Sequence, residues 1–538
     1  MKDTSMTSIR LPALYLIAST LTLTTTWMFP AQAADPVAAV QDWPMWSGPT
    51  ANWLASPDEK GLIADLNQAK LLWTSEDKAC GGVRGQSRRY GGRVGMKPSA
   101  GGASPIVYRD KVYFYFLEPK GAVSSNISHN HDPRVMAEQF LADPKLVSQG
   151  FNIEQFLDLW RIEANDVVLC IDANTGKTLW KKVFADGLYH DDWGKPRNAN
   201  NTPAAGDGKI FFYSSMSVLR ALDAETGELA WEAWNSEEKQ AQRQAVIDRG
   251  HLQEKRAPKA IMGPPVLFAD GLAIFTHASS KNNYGREKSL VAFDGASGKQ
   301  KWRVDDVGPG QGAPSLWFHD GVSYIVAASQ LGNVTCVRVA DGKVMWKLTG
   351  KAYNGHSITV AGDYMVINEV GETKKYKSAQ LGAYKLTSEE AQHLWTLPPE
   401  LHNSNATSPR IIYKNRVYVR RAGVKPLPDS ILVLDLQTGK LLAETEVDHD
   451  INGCQIIADD KIYYECDGNH NSDPRVNSYS TDPADFRRLS QWTMPNGPTN
   501  AYEIPMARPI VKGKMYARHN DGHIRCYDVT APQSDTKN

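Results

Sequence analysis

The sequence predicts an all-β protein: an eight-bladed β-propeller of four-stranded blades, closed by an N-terminal strand and carrying small helical insertions at its rim. Two observations carry this prediction. A short hairpin motif recurs along the chain, and eight tight turns, each followed by an apolar strand, are spaced tens of residues apart. A single β-hairpin is not stable in water, so a hairpin repeated at this period indicates an array of small sheets.

The repeated motif is clearest in residues 169–180, where an apolar run ends at Asp172 and a Thr-Gly-Lys turn leads to a second run ending at Trp180. Glycine accepts the positive φ of such a turn without steric cost. The short apolar runs on either side are typical of strands. Copies with the same Asp-to-Trp spacing occupy 219–231 and 290–302. Each copy predicts the outer hairpin of one blade.

The eight inner turns define the number of blades. They precede strands that begin at Val112, Ile210, Leu272, Val322, Tyr364, Val417, Ile462 and Met515. The last of these units ends near Asp528 and has no Trp hairpin of its own, whereas an unpartnered strand ends at Trp73. We expect the Trp73 strand to complete the last blade, because ring closure removes exposed sheet edges.

The domain organisation follows from this count. Residues 1–33 are predicted to be a signal peptide, because Lys2 and Arg10 precede an apolar run and Ala31-Gln32-Ala33 forms a small-x-small cleavage site. Residues 34–76 form an N-terminal segment with the closing strand, 77–530 the propeller and 531–538 a disordered tail, with insertions at about 117–165 and 236–258. No other segment is apolar enough to span a bilayer, so a periplasmic or secreted protein is expected.

Charge and metal-ligand spacing argue against two classes of function. The 60 Lys and Arg residues balance the 60 Asp and Glu residues, which gives no electrostatic case for binding nucleic acid. No His, Cys or acidic cluster has the spacing of a specific metal site, so no metal site is predicted.

Polar residues gather where the blades open. The innermost strands of a propeller begin near the central channel at one face, so these residues should converge on one channel mouth. The sequence therefore predicts a site for a polar ligand, although Asn and Gly residues could also serve only as turn formers. The predicted ligand-binding residues at the blade openings are Asn200, Asn201, His356, Asn403 and Asn405.

The Gly- and Arg-rich stretch 77–102 suggests a second use of the same face. Arg88, Arg89 and Arg93 could bind carboxylates through their guanidinium groups. Tyr90 or His190 could act as a base or an acid beside them. This combination suits an enzyme acting on an acidic polysaccharide by a lyase-type reaction. The alternative is a solvated loop without chemistry.

The cysteines suggest one disulfide. Six cysteines in an oxidising compartment can form bridges. Cys454 and Cys466 flank the turn at Asp459-Asp460 symmetrically, so a bridge across that hairpin is predicted as one of two alternatives. The other alternative is a pair of unbridged thiols.

The Asp-Ala-x-Thr-Gly-x-x-x-Trp repeats resemble the tryptophan-docking repeats of the pyrroloquinoline-quinone-like propellers, over about residues 40–530. That family includes quinoprotein alcohol dehydrogenases and the outer-membrane assembly lipoprotein BamB. The resemblance implies that certain Trp side chains stack between adjacent blades. These structural residues are Trp73, Trp180, Trp231, Trp302, Trp346, Trp395 and Trp492.

The chain departs from both branches of the family. The dehydrogenases usually carry adjacent cysteines against the cofactor, and no two cysteines are adjacent here. The lipoprotein carries a lipidated N-terminal cysteine, and the first cysteine here is Cys80. We therefore expect a binding or scaffold module, whose partner is a polar ligand such as a glycan or an envelope protein, with no cofactor. Pyrroloquinoline quinone with calcium, in an oxidoreductase, is a further alternative, and the sequence leaves open whether the protein is an enzyme.

Overall fold

The structure is a computed structural model. It describes residues 42–78, 83–84, 97–98, 103–123, 134–135, 138, 141–142, 144, 152–158, 161–188, 201–234, 236–249, 265–278, 288–308, 313–329, 331–353, 358–370, 379–398, 401, 409–421, 428–447, 454–466, 475–494, 507–519 and 522–532. The chain divides into two compact units, Met1–Ala38 and Ala39–Asn538. The first unit, with the predicted signal peptide, lies outside the described residues.

The predicted eight-bladed propeller is confirmed. Within the described ranges, the strands form eight four-stranded antiparallel sheets and one two-stranded sheet. The strands of the N-terminal part and of blades 1 to 3 are β1 (Lys70–Thr74), β2 (Val83–Arg84), β3 (Lys97–Pro98), β4 (Ile106–Tyr108), β5 (Lys111–Val123), β6 (Arg161–Asp172), β7 (Thr178–Leu188), β8 (Ala204–Gly206), β9 (Lys209–Tyr213), β10 (Leu219–Asp223), β11 (Leu229–Ala233), β12 (Leu267–Ala269), β13 (Leu272–Ala278), β14 (Lys288–Asp294) and β15 (Gln300–Val304).

Blades 4 to 8 continue the same pattern. Their strands are β16 (Ser315–His319), β17 (Val322–Ala328), β18 (Val334–Arg338), β19 (Val344–Leu348), β20 (Thr359–Ala361), β21 (Tyr364–Val370), β22 (Ala379–Leu386), β23 (Ala391–Thr396), β24 (Ile411–Tyr413), β25 (Arg416–Arg421), β26 (Ser430–Asp435), β27 (Leu441–Glu446), β28 (Gln455–Ala458), β29 (Lys461–Cys466), β30 (Arg475–Ser480), β31 (Arg488–Thr493), β32 (Ile510–Val511), β33 (Lys514–Arg518) and β34 (Ile524–Asp528). Blade 1 is β4–β7, each later blade takes the next four strands, and blade 8 is β32–β34 with β1.

Tryptophans in the outermost strands of seven blades contact the next blade, whereas blade 6 has Ala443 at the equivalent position. Trp231 of blade 2 packs across Gly298 in the outer turn of blade 3, and its indole N–H donates to the Gly295 carbonyl at 3.0 Å. Gly298 has a φ of 69°, and a Cβ there would lie 2.7 Å from the indole. Indole N–H groups that donate to a carbonyl of the next blade also belong to Trp73, Trp180, Trp302, Trp346 and Trp395. Trp492 packs edge-on against Tyr527.

The ring closes as predicted. Strand β1 pairs antiparallel with β34 and becomes the outermost strand of blade 8. Trp73, at the end of β1, then packs across Gly176 in the outer turn of blade 1. The first and last blades are therefore joined by the same contact that joins blades 1 to 6 in series.

The segment that precedes β1 fills part of the central channel. Trp43 forms two backbone hydrogen bonds with Val107 of blade 1, and the Pro44 carbonyl accepts from Ala205 of blade 2. Further along, the Trp53 carbonyl accepts from Ile457 of blade 7 at 3.0 Å. These partners all lie on innermost strands, so the segment crosses the channel from blade to blade. We call residues 42–63 the plug; it was not anticipated from the sequence.

Carboxylates fix the plug to the blades it crosses. Glu59 is buried, and its Oε2 accepts from the Gly513 N–H at 2.9 Å in the inner turn of blade 8. Asp42 accepts from the Arg109 N–H at 3.1 Å, and Asp459 accepts from Leu62 at 2.9 Å. These carboxylates accept hydrogen bonds from backbone N–H groups that have no partner in a neighbouring strand.

The two predicted insertions meet beside blade 1. Strands β5 and β6 run into the segment 117–165, which also holds the short helix α1 (Ile153–Leu157). Helix α2 (Glu237–Arg249) comes from the second insertion. Its Arg243 donates to Glu163 of β6 at 3.0 Å. Short 3-10 helices cover Leu66–Gln68 and Pro483–Asp485. No helix in the described ranges is both long and apolar enough to traverse a bilayer.

Candidate functional site

The two faces of the ring differ in what they carry. Neighbouring strands of each blade are antiparallel, so the inner turn (first to second strand) and the outer turn (third to fourth strand) lie at the same face. We call this the turn face. The remaining connections, from second to third strand and from blade to blade, lie at the opposite face, which we call the loop face. The long connections of the chain are therefore concentrated on the loop face.

The plug closes the channel towards the turn face. Its partners Val107, Ala205 and Ile457 are each the next-to-last residue of an innermost strand, immediately before the inner turn. Trp46 and Trp53, both almost fully buried, meet edge to face with ring centroids 4.7 Å apart. Three tryptophans thus fill the channel at that end, because Trp43 is fully buried beside them. A ligand that enters the channel must approach from the loop face.

The sequence placed the predicted site residues in the connections that open the blades. Most of them lie outside the described residues, and their roles stay predictions. These are the ligand-binding candidates Arg88, Arg89, Arg93, Asn200, His356, Asn403 and Asn405 and the catalytic candidates Tyr90 and His190.

Asn201 is the one predicted ligand residue that the described ranges include. It lies three residues before the innermost strand of blade 2, where it is fully buried. Its amide Nδ2 donates to the Tyr213 carbonyl at 2.6 Å, whereas its Oδ1 has no hydrogen-bond partner. A buried acceptor without a donor is costly, so this oxygen favours a ligand or water at the loop face.

The seam between blades 5 and 6 is polar at its loop-face end. Val366 of β21 and Val419 of β25 belong to the same buried cluster, so these two strand faces pack against each other. Asn368 and Arg421 lie two residues further along each strand, and side chains at i and i+2 share a face. Arg410, just before β24, lies on the same face of blade 6 as Ile412 of that cluster. The seam therefore changes from apolar to polar towards the loop face.

Arg421 is held by a network within blade 6. Its guanidinium forms a salt bridge with Glu444 and donates to Ser430 Oγ at 3.1 Å. Ser430 in turn donates to Glu444 at 2.7 Å. The Nε of Arg421 is buried and has no acceptor. In Arg410, which is also buried, desolvation lowers the pKa to about 10.

The next seam, between blades 6 and 7, repeats this arrangement. Arg420 forms a salt bridge of 2.8 Å with Asp429, and both side chains are buried. Gln455, also fully buried, reaches across from blade 7 and donates to the Tyr418 carbonyl at 3.3 Å. The Gln455 Oε1 has no donor. Two adjacent seams thus contain buried charges and incompletely bonded amides at their loop-face ends.

Of the two alternatives for Cys454 and Cys466, the structure shows the unbridged one. Cys454 is a buried, free thiol whose pKa burial raises well above its usual range. The hairpin register places Glu465 opposite Cys454, since the Glu465 N–H donates to the Cys454 carbonyl at 2.8 Å. The strands are therefore offset by one residue from the symmetric pairing that the spacing around the turn suggested.

Comparison with known proteins identifies the family. The model of the family described as Outer membrane protein assembly factor BamB matches residues 159–253 and 286–464, about half of the chain. The chain belongs to this family. The matched ranges run from blade 1 to blade 7, so the BamB family signal lies in the repeats themselves.

Individual relatives match shorter segments. Outer membrane protein assembly factor BamB of Xanthomonas campestris pv. campestris is 28% identical over 179 residues, which are 33% of this chain and 37% of the relative. The dehydrogenase subunit of alcohol dehydrogenase (quinone) from Komagataeibacter europaeus is 29% identical over 133 residues, which are 25% of this chain and 16% of the relative. The chain thus spans well under two thirds of the curated relatives it matches.

The fold is shared with solved structures. The quinohemoprotein alcohol dehydrogenase from Comamonas testosteroni superposes with a TM-score of 0.53 at 13% identity, covering 94% of this chain and 83% of that chain. At this identity the likeness concerns the fold alone.

The cofactor implied by the dehydrogenase branch of the BamB-like propellers is pyrroloquinoline quinone with calcium. Calcium takes six to eight oxygen ligands, usually with several carboxylates. In the part of the chain that the structure describes, no three His, Cys, Asp or Glu side chains converge on a point that could hold a metal ion. The described residues therefore show no carboxylate cluster of the kind that holds calcium, and we assign no reaction step to it.

Three polar residues of the loop-face seams were not predicted as site residues, because they do not lie in polar loops. Asn368, Arg421 and Gln455 all lie within strands. A usable signal was present in Val417-Tyr418-Val419-Arg420-Arg421, where two charges end an apolar strand. Charged residues are rarely buried in strands without a specific partner.

Proposed function

We propose that this protein is a periplasmic or secreted binding module, whose loop face receives a polar ligand or a segment of an envelope protein. One observation carries the proposal: the plug fills the channel towards the turn face, which leaves the loop face, where the longer connections between strands lie, as the side for binding. Binding residues are commonly placed on loops that a rigid scaffold positions.

The family supports an envelope partner as the first candidate. The Xanthomonas relative is named as an assembly factor for outer membrane proteins, and the matched ranges cover most blades of the ring. The predicted signal peptide agrees with a location where such partners occur. A glycan is the second class of ligand, because buried amides and guanidinium groups suit hydroxyl and acidic groups.

Site-specific photo-crosslinking of the full chain tests the proposal. A photoreactive residue at Leu331, which is 45% exposed between the second and third strands of blade 4, samples the loop face. The same residue at Lys299, exposed in the outer turn of blade 3, samples the turn face. We expect a discrete adduct from Leu331 and none from Lys299.

Two results would contradict the binding-module proposal. Adducts of equal yield from both positions would remove the preference for the loop face. If neither position gives an adduct and no glycan or envelope protein raises the melting temperature of the purified protein, the proposal fails. A ligand that binds only the native state must raise that temperature by mass action.

A quinone-dependent oxidoreductase is the second candidate. It is favoured by the 29% identity to the quinone alcohol dehydrogenase subunit, in a segment of 133 residues. Purified protein incubated with pyrroloquinoline quinone and calcium should then oxidise alcohols in a dye-linked assay. Loss of all activity on removing the quinone is required, and no activity with a broad set of alcohols would reject this candidate.

A further inference from the structure

We propose that the seam between blades 5 and 6 binds a hydroxycarboxylate, a carboxylate that carries a neighbouring hydroxyl group, as in a uronic acid. The seam site consists of Asn368, Arg410 and Arg421. The inference rests on the proposed binding function and names the chemistry of the ligand.

The two central residues lie on the sides of blades 5 and 6 that border the same apolar cluster. Val366 and Val419 pack within one cluster of blades 5 and 6, and Asn368 and Arg421 are the next residues on the same strand faces. The second strand of each blade starts at the inner turn, with Tyr364 in blade 5 and Arg416 in blade 6. Along these strands Asn368 is one residue closer to the turn than Arg421. Both therefore lie at the loop-face ends of β21 and β25.

Both residues have unsatisfied polar atoms. Asn368 is only 3% exposed, and neither its Oδ1 nor its Nδ2 has a hydrogen-bond partner. Arg421 is equally buried, and its Nε lacks an acceptor although its other nitrogens bind Glu444 and Ser430. Buried polar atoms in native proteins are nearly always bonded, so this seam lacks a partner group.

The unsatisfied atoms define the missing partner. Two donors, the Nε–H of Arg421 and the Nδ2–H of Asn368, suit the two oxygens of a carboxylate. One acceptor, the Oδ1 of Asn368, requires a donor such as a hydroxyl group. Arg410 places a second guanidinium on the same face of blade 6 and favours an anion there. A carboxylate with an adjacent hydroxyl satisfies all three atoms at once.

Calorimetry with D-glucuronate tests the site in the full mature chain. D-Glucose serves as the probe without a carboxylate, and acetate as the probe without a hydroxyl. Asn368→Leu removes the amide while keeping its size, and Arg421→Lys removes the Nε donor but keeps a charge beside Glu444. Thr335→Val is the matched control, because the Thr335 Oγ1 is likewise buried without a partner but lies on β18 of blade 4.

We expect glucuronate to bind the native protein at least tenfold more tightly than glucose or acetate. Asn368→Leu and Arg421→Lys should each weaken that binding at least tenfold, whereas Thr335→Val should change it less than twofold. The melting temperature of ligand-free Asn368→Leu should not fall, because replacing an unbonded buried amide by an apolar group of similar shape is close to neutral.

Three outcomes would overturn the seam site. Glucuronate binding that survives both substitutions places the ligand elsewhere, and the binding-module proposal stands. If glucuronate does not bind and Asn368→Leu lowers the melting temperature, the amide is held by structural water. If Asn368→Leu does not fold, unchanged binding in Arg421→Lys is sufficient to reject the site. Failure of the binding module itself is decided separately, by crosslinking at Leu331 and Lys299.

Discussion

At the scale of single residues, the contact between Trp231 and Gly298 shows why the outer turns require glycine. Gly298 has a positive φ and a neighbouring indole within the space of a Cβ. Gly321, in the inner turn of blade 4, has almost the same φ of 73° but no atom within 4 Å of a Cβ. The two positions therefore separate the backbone cost of replacing glycine from the steric cost.

We predict that Gly298→Ala lowers the free energy of unfolding more than Gly321→Ala does. A left-handed conformation costs an alanine about 1–2 kcal/mol, which applies to both variants. Displacing the indole adds about 1–3 kcal/mol at Gly298 alone. Urea denaturation of both variants measures the difference. Equal losses would show that Trp231 gives way without cost.

His277 predicts a pH dependence at the same scale. Its ring stacks on Trp234 with centroids 4.2 Å apart, and burial, with Lys239 and Arg303 nearby, lowers its pKa to about 4. Between pH 6.5 and pH 4, His277 therefore binds a proton in the unfolded state but not in the folded state. Stability is present above that pH and is lost as the pH falls towards 4, by about 3 kcal/mol at 1.36 kcal/mol per pKa unit.

The measurement compares His277→Gln with the native protein by urea denaturation between pH 7 and pH 4. The variant should lose about 3 kcal/mol less over this range, since it has no proton to take up there. His393→Gln, at an exposed histidine of β23, is the control and should follow the native protein. Parallel curves for native protein and His277→Gln would refute the prediction.

At the scale of elements, strand β1 joins the ends of the ring. Trp73 and Leu72 are neighbours on β1, but Trp73 is buried against blade 1 whereas Leu72 is 47% exposed. We predict that Trp73→Ala lowers the free energy of unfolding by about 3–5 kcal/mol. Leu72→Ala should change it by less than about 0.5 kcal/mol. Guanidinium denaturation checks both, and similar small effects would mean that the ring does not depend on this contact.

The elements also show what the sequence could and could not predict. Turn chemistry and the spacing from Asp172 to Trp180 depend on neighbouring residues, so the hairpins and the closing strand were predictable. The plug was not, because Trp43-Pro44-Met45-Trp46 has no local pattern that indicates hydrogen bonds to the innermost strands of blades 1 and 2. The offset of Cys454 from Cys466 was also unpredictable, since the turn fixes the register and a one-residue shift reverses the facing side chains.

The candidate site was predictable only in its place. Antiparallel order puts all blade openings on one face, so the loop-face position follows from the repeat. The seam residues Asn368 and Arg421 depend on which faces of two separate blades meet, and no local pattern reports that. Their unsatisfied atoms became visible only when both strands were placed side by side.

At the scale of the whole molecule, two devices hold the ring closed. Strand β1 joins blade 8 to blade 1 at the rim, through Trp73. The plug joins inner strands of blades 1, 2 and 7 across the channel, with Trp46 buried at its centre. The two are consecutive in the chain, and both contact blade 1, β1 at its outer edge and the plug at its inner edge. If the ring unfolds as one unit, the stabilisation that β1 provides should depend on the presence of the plug, and the reverse.

We predict that Trp46→Ala and Trp73→Ala are not additive. Each should lower the free energy of unfolding by about 3–5 kcal/mol, because a large buried ring is removed. Once the contact of Trp46 or that of Trp73 is lost, the blades that it joined can separate. The remaining contact then stabilises the ring less than it does in the native protein. The double variant should therefore lose less than the sum of the two, by more than about 0.5 kcal/mol in a double-mutant cycle. Additivity within that limit would mean that rim and channel stabilise separate parts of the ring, and the propeller would then be expected to unfold in stages.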